Sequence, residues 1–124
     1  MEDGDGTMSK RIFTLKESRE TLPRVQAITA AAVKEAEAVV RQLEAKPEGD
    51  ARRGLEEQYD RILRAWGAAI MELGVEVKGM WLVDFDSGDG IYYCWHHPEA
   101  TIEFFHDYST GFSGRRPLGK LGVV

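Results

Sequence analysis

The densest run of side chains able to do chemistry begins at His106 and continues through Gly111-Phe112-Ser113-Gly114-Arg115-Arg116. Two glycines three apart let the backbone take positive φ and turn its N–H groups toward one point, and a neighbouring guanidinium grips an oxyanion through two parallel hydrogen bonds. The ligand such a pattern would hold is a small anion, a phosphate or a carboxylate. Its contacts would be His106, Gly111, Gly114, Arg115 and Arg116, with Glu99 and Asp107 as supporting carboxylates. This is not a Walker loop: the Lys-Ser/Thr pair is missing, and Pro117 stands where a helix would have to propagate. The competing explanation is internal and more economical. The glycines turn the chain, and the arginines pair with carboxylates of the same fold.

A second cluster, His96, His97, Glu99, Glu103 and His106, is rich in metal-ligating types. Its spacing argues against convergence. In a hairpin turning near Pro98-Glu99, His96 opposes Ile102 while His106 lies near Tyr92, about 13 Å further along the strand. Glu103 and His106, three apart, face opposite sides. Asp84-x-Asp86-x-Gly88-Asp89-Gly90 resembles the opening of a calcium loop, but Asp89 takes the glycine position and Trp95 the place of the bidentate glutamate. Cys94 sits mid-strand between aromatic neighbours, where a buried, unreactive thiol is the usual outcome. Neither a metal nor a cofactor is expected.

Charge is segregated along the chain. Residues 72–107 hold eight acidic side chains against Lys78 alone, within a total of −5. Nucleic-acid binding needs clustered Lys and Arg to displace counterions, so a nucleic-acid partner is not expected. The basic end, Arg115, Arg116 and Lys120, is read as folding back on the acidic region. With 124 residues, 43% of them hydrophobic, the chain is sized for one domain. No apolar run reaches the ~20 residues of a membrane span. The acidic start is unlike a secretory signal, and a single cysteine fits a reducing compartment, so a cytoplasmic location is expected.

These residues must be positioned by elements legible in the spacing. Thr14-Leu15-Lys16-Glu17 has capping-box spacing and starts a helix. Pro23 should keep that first piece short or kinked, with a longer helix launched from Thr21 or Leu22. Val25, Ile28, Ala32, Ala36, Val39 and Leu43 then share one face. Pro47 to Asp50 makes a turn, and Leu55, Tyr59, Ile62, Trp66, Ala69 and Leu73 form the face of a second helix capped by Gly74. The short connection implies an antiparallel helical hairpin. Trp81–Phe85, Ile91–His96 and Thr101–His106 read as strands of an antiparallel sheet joined by tight turns. Tyr92, Cys94, Ile102 and Phe104 would face one side, and Ile91, Tyr93, Trp95 and Phe105 the other. Two apolar faces need two covers: the hairpin, and the first helix, the tail or a second subunit.

Phe13-Thr14-Leu15, Leu22-Pro23, Leu73-Gly74-Val75-Glu76-Val77-Lys78, Leu82-Val83-Asp84-Phe85, Cys94-Trp95 and His106-x4-Gly111-Phe112-x-Gly114-Arg115-Arg116-Pro117-Leu118 together resemble a bacterial family known as domain of unknown function 2203. The resemblance runs from about Ile12 to Leu118. It implies a small cytoplasmic protein and no particular reaction. Departures from the family pattern are Pro98 before Glu99 in place of glycine, Phe105 in place of tryptophan, Asp107 in place of glutamate and Ser109 in place of an acid.

The sequence therefore points to an α+β fold: a short N-terminal helix, a long antiparallel helical hairpin, a small antiparallel β-sheet of three or four strands and a glycine/arginine-rich C-terminal tail. Residues 1–11 would be a flexible acidic segment, 12–118 the domain and 119–124 the tail. The preferred function is a non-enzymatic binding or interaction module, a homodimer, holding a small anion near His106 and Arg115. The alternative is a small metal-assisted or acid/base hydrolase centred on His106.

Overall fold

The computed structural model describes residues 11–121; residues 1–10 of the expected acidic segment and residues 122–124 of the expected tail lie outside it. Helix α1 spans Leu15–Glu44 and helix α2 Gly49–Glu72. The capping box forms as expected, with Glu17 N–H donating to Thr14 Oγ1 at 3.0 Å and Thr14 N–H to Glu17 Oε1 at 2.9 Å. The break at Pro23 does not occur: α1 is one continuous helix, and the separate short N-terminal helix is absorbed into it. Losing one backbone hydrogen bond at proline costs ~3 kcal/mol. Burial of Leu22 and Val25 on either side, each contributing ~1.5–3 kcal/mol, offsets that cost while Pro23 stays on the solvent side.

The two helices pair as the expected hairpin along Ala32, Ala36 and Val39. Trp66 Nε1 donates to the buried Thr29 Oγ1 at 2.9 Å, tying α2 to α1. Gly74 ends α2 at φ +82°, and a Cβ there would also meet the Arg11 side chain at 2.5 Å. Both conditions require glycine.

The sheet has five strands in sequence order, all antiparallel: β1 Glu76–Gly79, β2 Leu82–Asp86, β3 Ile91–His96, β4 Phe104–Asp107 and β5 Arg116–Pro117. Its inner face, Val83, Phe85, Trp95 and Phe105, packs with Phe13, Leu22, Val25, Trp66 and Ile70 into the core. Strand β4 starts at Phe104, three residues later than expected. The segment before it leaves strand geometry, so Ile102 turns into the core with Phe105 instead of sharing the face of Cys94. Arg19 Nη2 donates to the Ile102 carbonyl at 3.1 Å and Gln26 Nε2 to that of Ala100 at 3.1 Å, so α1 fixes this segment. The Asp86 to Gly90 stretch is a hairpin turn, closed by Gly88 N–H donating to Asp86 Oδ1 at 2.8 Å.

The outer face carries Asp84, Tyr92, Cys94, Phe104 and His106, placed together by the pairings Asp84↔Cys94, Tyr92↔His106 and Cys94↔Phe104. The tail crosses this side through a 3-10 turn at Phe112–Gly114 before entering β5. The tail is thus the second cover that the two apolar faces need.

Candidate functional site

The tail residues separate into two ion pairs. Arg115 lies over the outer face, its Nη1 and Nη2 each 2.6 Å from a Glu99 oxygen and its Nη2 also 3.3 Å from the Cys94 carbonyl. The guanidinium is sandwiched between the Phe104 ring at 4.2 Å and the Phe112 ring at 4.7 Å. Arg116, the next residue on an extended strand, takes the opposite side, where it caps the Phe105 ring at 4.7 Å and donates to the half-exposed Asp107 at 3.1 Å. Glu99 is held further by the His96 N–H at 2.8 Å. Burial alone would raise the Glu99 pKa, but the Arg115 hydrogen bonds and charge outweigh it and leave the carboxyl below its ordinary value. The same carboxylate holds the Arg115 guanidinium above its ordinary pKa against the effect of burial.

His106 stands apart from both arginines in its bonding. Its Nδ1 meets the Asp107 carbonyl at 2.9 Å and, because a carbonyl only accepts, Nδ1 is the donor. Its Nε2 meets Asp84 Oδ2 at 2.9 Å, with the two side chains 3% and 1% exposed. Cys94, from the strand between them, completes a buried trio. Asp84 Oδ1 accepts no hydrogen bond although it is buried. Burial pushes the Asp84 carboxyl up, with His106, the neighbouring Cys94 thiol and the Lys78 charge pulling the other way. Burial and the Asp84 charge push the Cys94 thiol up to about 12, which makes it a poor nucleophile at neutral pH.

Above the trio lies a recess of about 260 Å³ lined by Lys78, Leu82, Asp84, His106, Thr110, Gly111 and Phe112. Lys78 at its edge pairs with Glu76 at 3.2 Å and sits 4.2 Å over the Tyr92 ring. Of the residues singled out by sequence, His106 and Gly111 share this recess, while Gly114, Arg115 and Arg116 do not line it. Gly114 packs its backbone against Thr110, where a Cβ would come within 2.6 Å of the side chain. His96 packs against Phe112 with ring centroids 5.5 Å apart and the rings tilted, and Glu103 is exposed, so neither joins His106. Sequence reasoning weighed Asp84 as part of a calcium-like loop and Cys94 as a buried thiol, and did not bring either beside His106. The available signal was an acid in the middle of the apolar Leu82–Phe85 strand, whose register across β3 puts it beside His106.

A family model described as an uncharacterized conserved protein, DUF2203, matches residues 11–118. This chain belongs to the DUF2203 family. The matched span takes in every described strand and both helices, so the buried trio, the recess and the Arg115–Glu99 clamp all lie within the DUF2203 domain. No curated protein and no solved structure matches the chain. Among the described residues, no helix is long and apolar enough to cross a membrane.

Proposed function

We propose that this DUF2203 protein is a non-enzymatic binding module whose ligand occupies the recess over Asp84 and His106. The single observation that carries this is the buried carboxylate at the floor, one of whose oxygens accepts no hydrogen bond. Leaving such a group unsatisfied costs about 1–3 kcal/mol, which an occupant offering a donor or a positive charge would recover. The surroundings favour the same sign. Lys78 is engaged by Glu76 and Arg115 by Glu99, which leaves Asp84 as the carboxylate lining the recess. An anion between His106 and Arg115 would first have to displace Glu99 from its bidentate pair, so the geometry favours a small cationic or N–H-bearing ligand over phosphate. It gives less support to hydrolysis: both His106 nitrogens are engaged within the protein and Arg115 is committed to Glu99.

The test is amide-resolved NMR of the full chain with a panel of fragment-sized amines, with inorganic phosphate as the anion arm. Amines should perturb Lys78, Thr110, Gly111 and His106, the perturbation should vanish in Asp84→Asn, and phosphate should leave these signals in place. Perturbations gathered elsewhere, or none from any amine, would overturn the assignment of the recess.

A further inference from the structure

Asp84, Cys94 and His106 come from three neighbouring strands, and their donor atoms all lie within 4.8 Å of one another in a fully buried setting. One carboxylate, one thiol and one imidazole form a mixed oxygen, sulfur and nitrogen set that suits a borderline divalent ion, zinc above all, better than calcium or magnesium. A hydrogen-bonded polar core would need nothing more than the His106–Asp84 contact. Three further features exceed that need.

The first is the far side of the imidazole. Nδ1 donates to the Asp107 carbonyl at 2.9 Å, so Nε2 is the nitrogen turned toward Asp84 and Cys94. A backbone carbonyl on the opposite ring nitrogen is the support that metal-ligating histidines take, because it fixes tautomer and orientation. The second is the Asp84 carboxylate: Oδ1 is buried without a hydrogen bond and Oδ2 is met by His106, so the group keeps capacity that an ion beside Oδ2 would take up. The third is charge: a thiolate and a carboxylate together neutralise a divalent ion, so the loaded site adds no net charge to the interior. Tetrahedral zinc holds such donors about 3.3–3.7 Å apart. The Nε2 to Oδ2 separation of 2.9 Å therefore opens by a few tenths of an ångström, and the remaining separations close from within 4.8 Å.

We propose that Asp84, Cys94 and His106 form a three-ligand site for a divalent transition-metal ion, with zinc as the preferred occupant and the fourth position facing the recess. The proposal rests on the binding reading above, since the recess, lined by both Asp84 and His106, is the entry path and the open side of the ion. Binding is a proton-for-metal exchange without redox change. The Cys94 thiol proton and the proton held between His106 Nε2 and Asp84 Oδ2 leave to solvent as the three bonds to the ion form.

Co²⁺ added to the metal-free full chain is the probe. The expected result is one ion per chain, intense visible bands of four-coordinate cobalt, a near-ultraviolet thiolate-to-cobalt band, and loss of all of them on adding Zn²⁺. Cys94→Ala should remove the thiolate band, and His106→Gln should weaken binding at least tenfold. Should either variant fail to fold, X-ray absorption at the zinc edge of the wild-type protein reads the same point, with one sulfur among the ligands expected. A sulfur-free shell, weak six-coordinate cobalt spectra indifferent to Cys94→Ala, or no binding would each overturn the site. If amines still perturb the recess while neither metal does, the metal inference fails and the binding reading stands; if both probes fail, both fall.

Discussion

The Arg115–Glu99 clamp gives the sharpest perturbation, because the tail reaches the outer face through it. Arg115 makes two 2.6 Å contacts with Glu99, and the two side chains are 9% and 21% exposed. Removing one partner of a buried pair costs ~3–5 kcal/mol, but the residual exposure of Glu99 lets water recover part of that, so Arg115→Ala should lose ~2–4 kcal/mol. At ~4 °C per kcal/mol for a chain of this size, the melting temperature should fall by roughly 8–16 °C. Arg115→Met keeps an apolar stem between Phe104 and Phe112 and so separates stacking from charge. A double-mutant cycle of Arg115→Met with Glu99→Gln should return a coupling of ~1–3 kcal/mol. The pH sign follows from Glu99. Its folded pKa lies below the ordinary 4.5, so the stabilisation is present above that value and is lost as pH falls through the folded one. The gap between wild type and Glu99→Gln should therefore close only under acid conditions. A loss under about 1 kcal/mol for Arg115→Ala, together with a coupling near zero, would refute the clamp.

Asp84 carries the opposite sign. Its folded pKa is raised above the ordinary 3.8, so its stabilisation is present below that value and lost as pH rises through the folded one. Wild type should lose ground to Asp84→Asn between acid and neutral pH in paired thermal melts; a gain would show that burial does not dominate at this carboxyl. Cys94, with its thiol pushed up to about 12, should resist a thiol-reactive dye at mildly alkaline pH in the metal-free native protein and react at once in denaturant. Gly74→Ala forces a side chain into φ +82° and against Arg11, and should cost at least ~1 kcal/mol by denaturant titration.

What the sequence disclosed follows from what is local. The stripe from Val25 to Leu43, the Gly74 cap and the Thr14 capping box are set by residues within one or two turns, and all three appear where spacing puts them. Pro23 misled because its cost is local while the burial of Leu22 and Val25 that overrides it is tertiary. The fifth strand escaped notice for a related reason: Arg116–Pro117 is two residues long and exists only by pairing with Phe104 and Phe105. At the site, pairing His106 with Tyr92 was readable from the hairpin register, and the structure has that pair. The same hairpin register sets Cys94 on the face of His106, and extending it one strand further brings in Asp84, a step no spacing rule within a single hairpin supplies.

The two sheet faces divide the work of the fold, and the division bears on function. The inner face supplies stability by ordinary means, with aromatic and aliphatic side chains closed under the helices. The outer face buries an aspartate, a histidine and a cysteine instead, then covers them with a tail held by a charged pair and two stacked rings. Buried ion pairs are poor sources of stability, and hydrophobic groups of similar volume do as well or better. A fold that needed only a second cover could have met Phe112 with leucine and valine on β2, β3 and β4. The polar trio, with one carboxylate oxygen left unbonded and a recess beside it, is therefore what the proposed binding role would account for and stability alone would not.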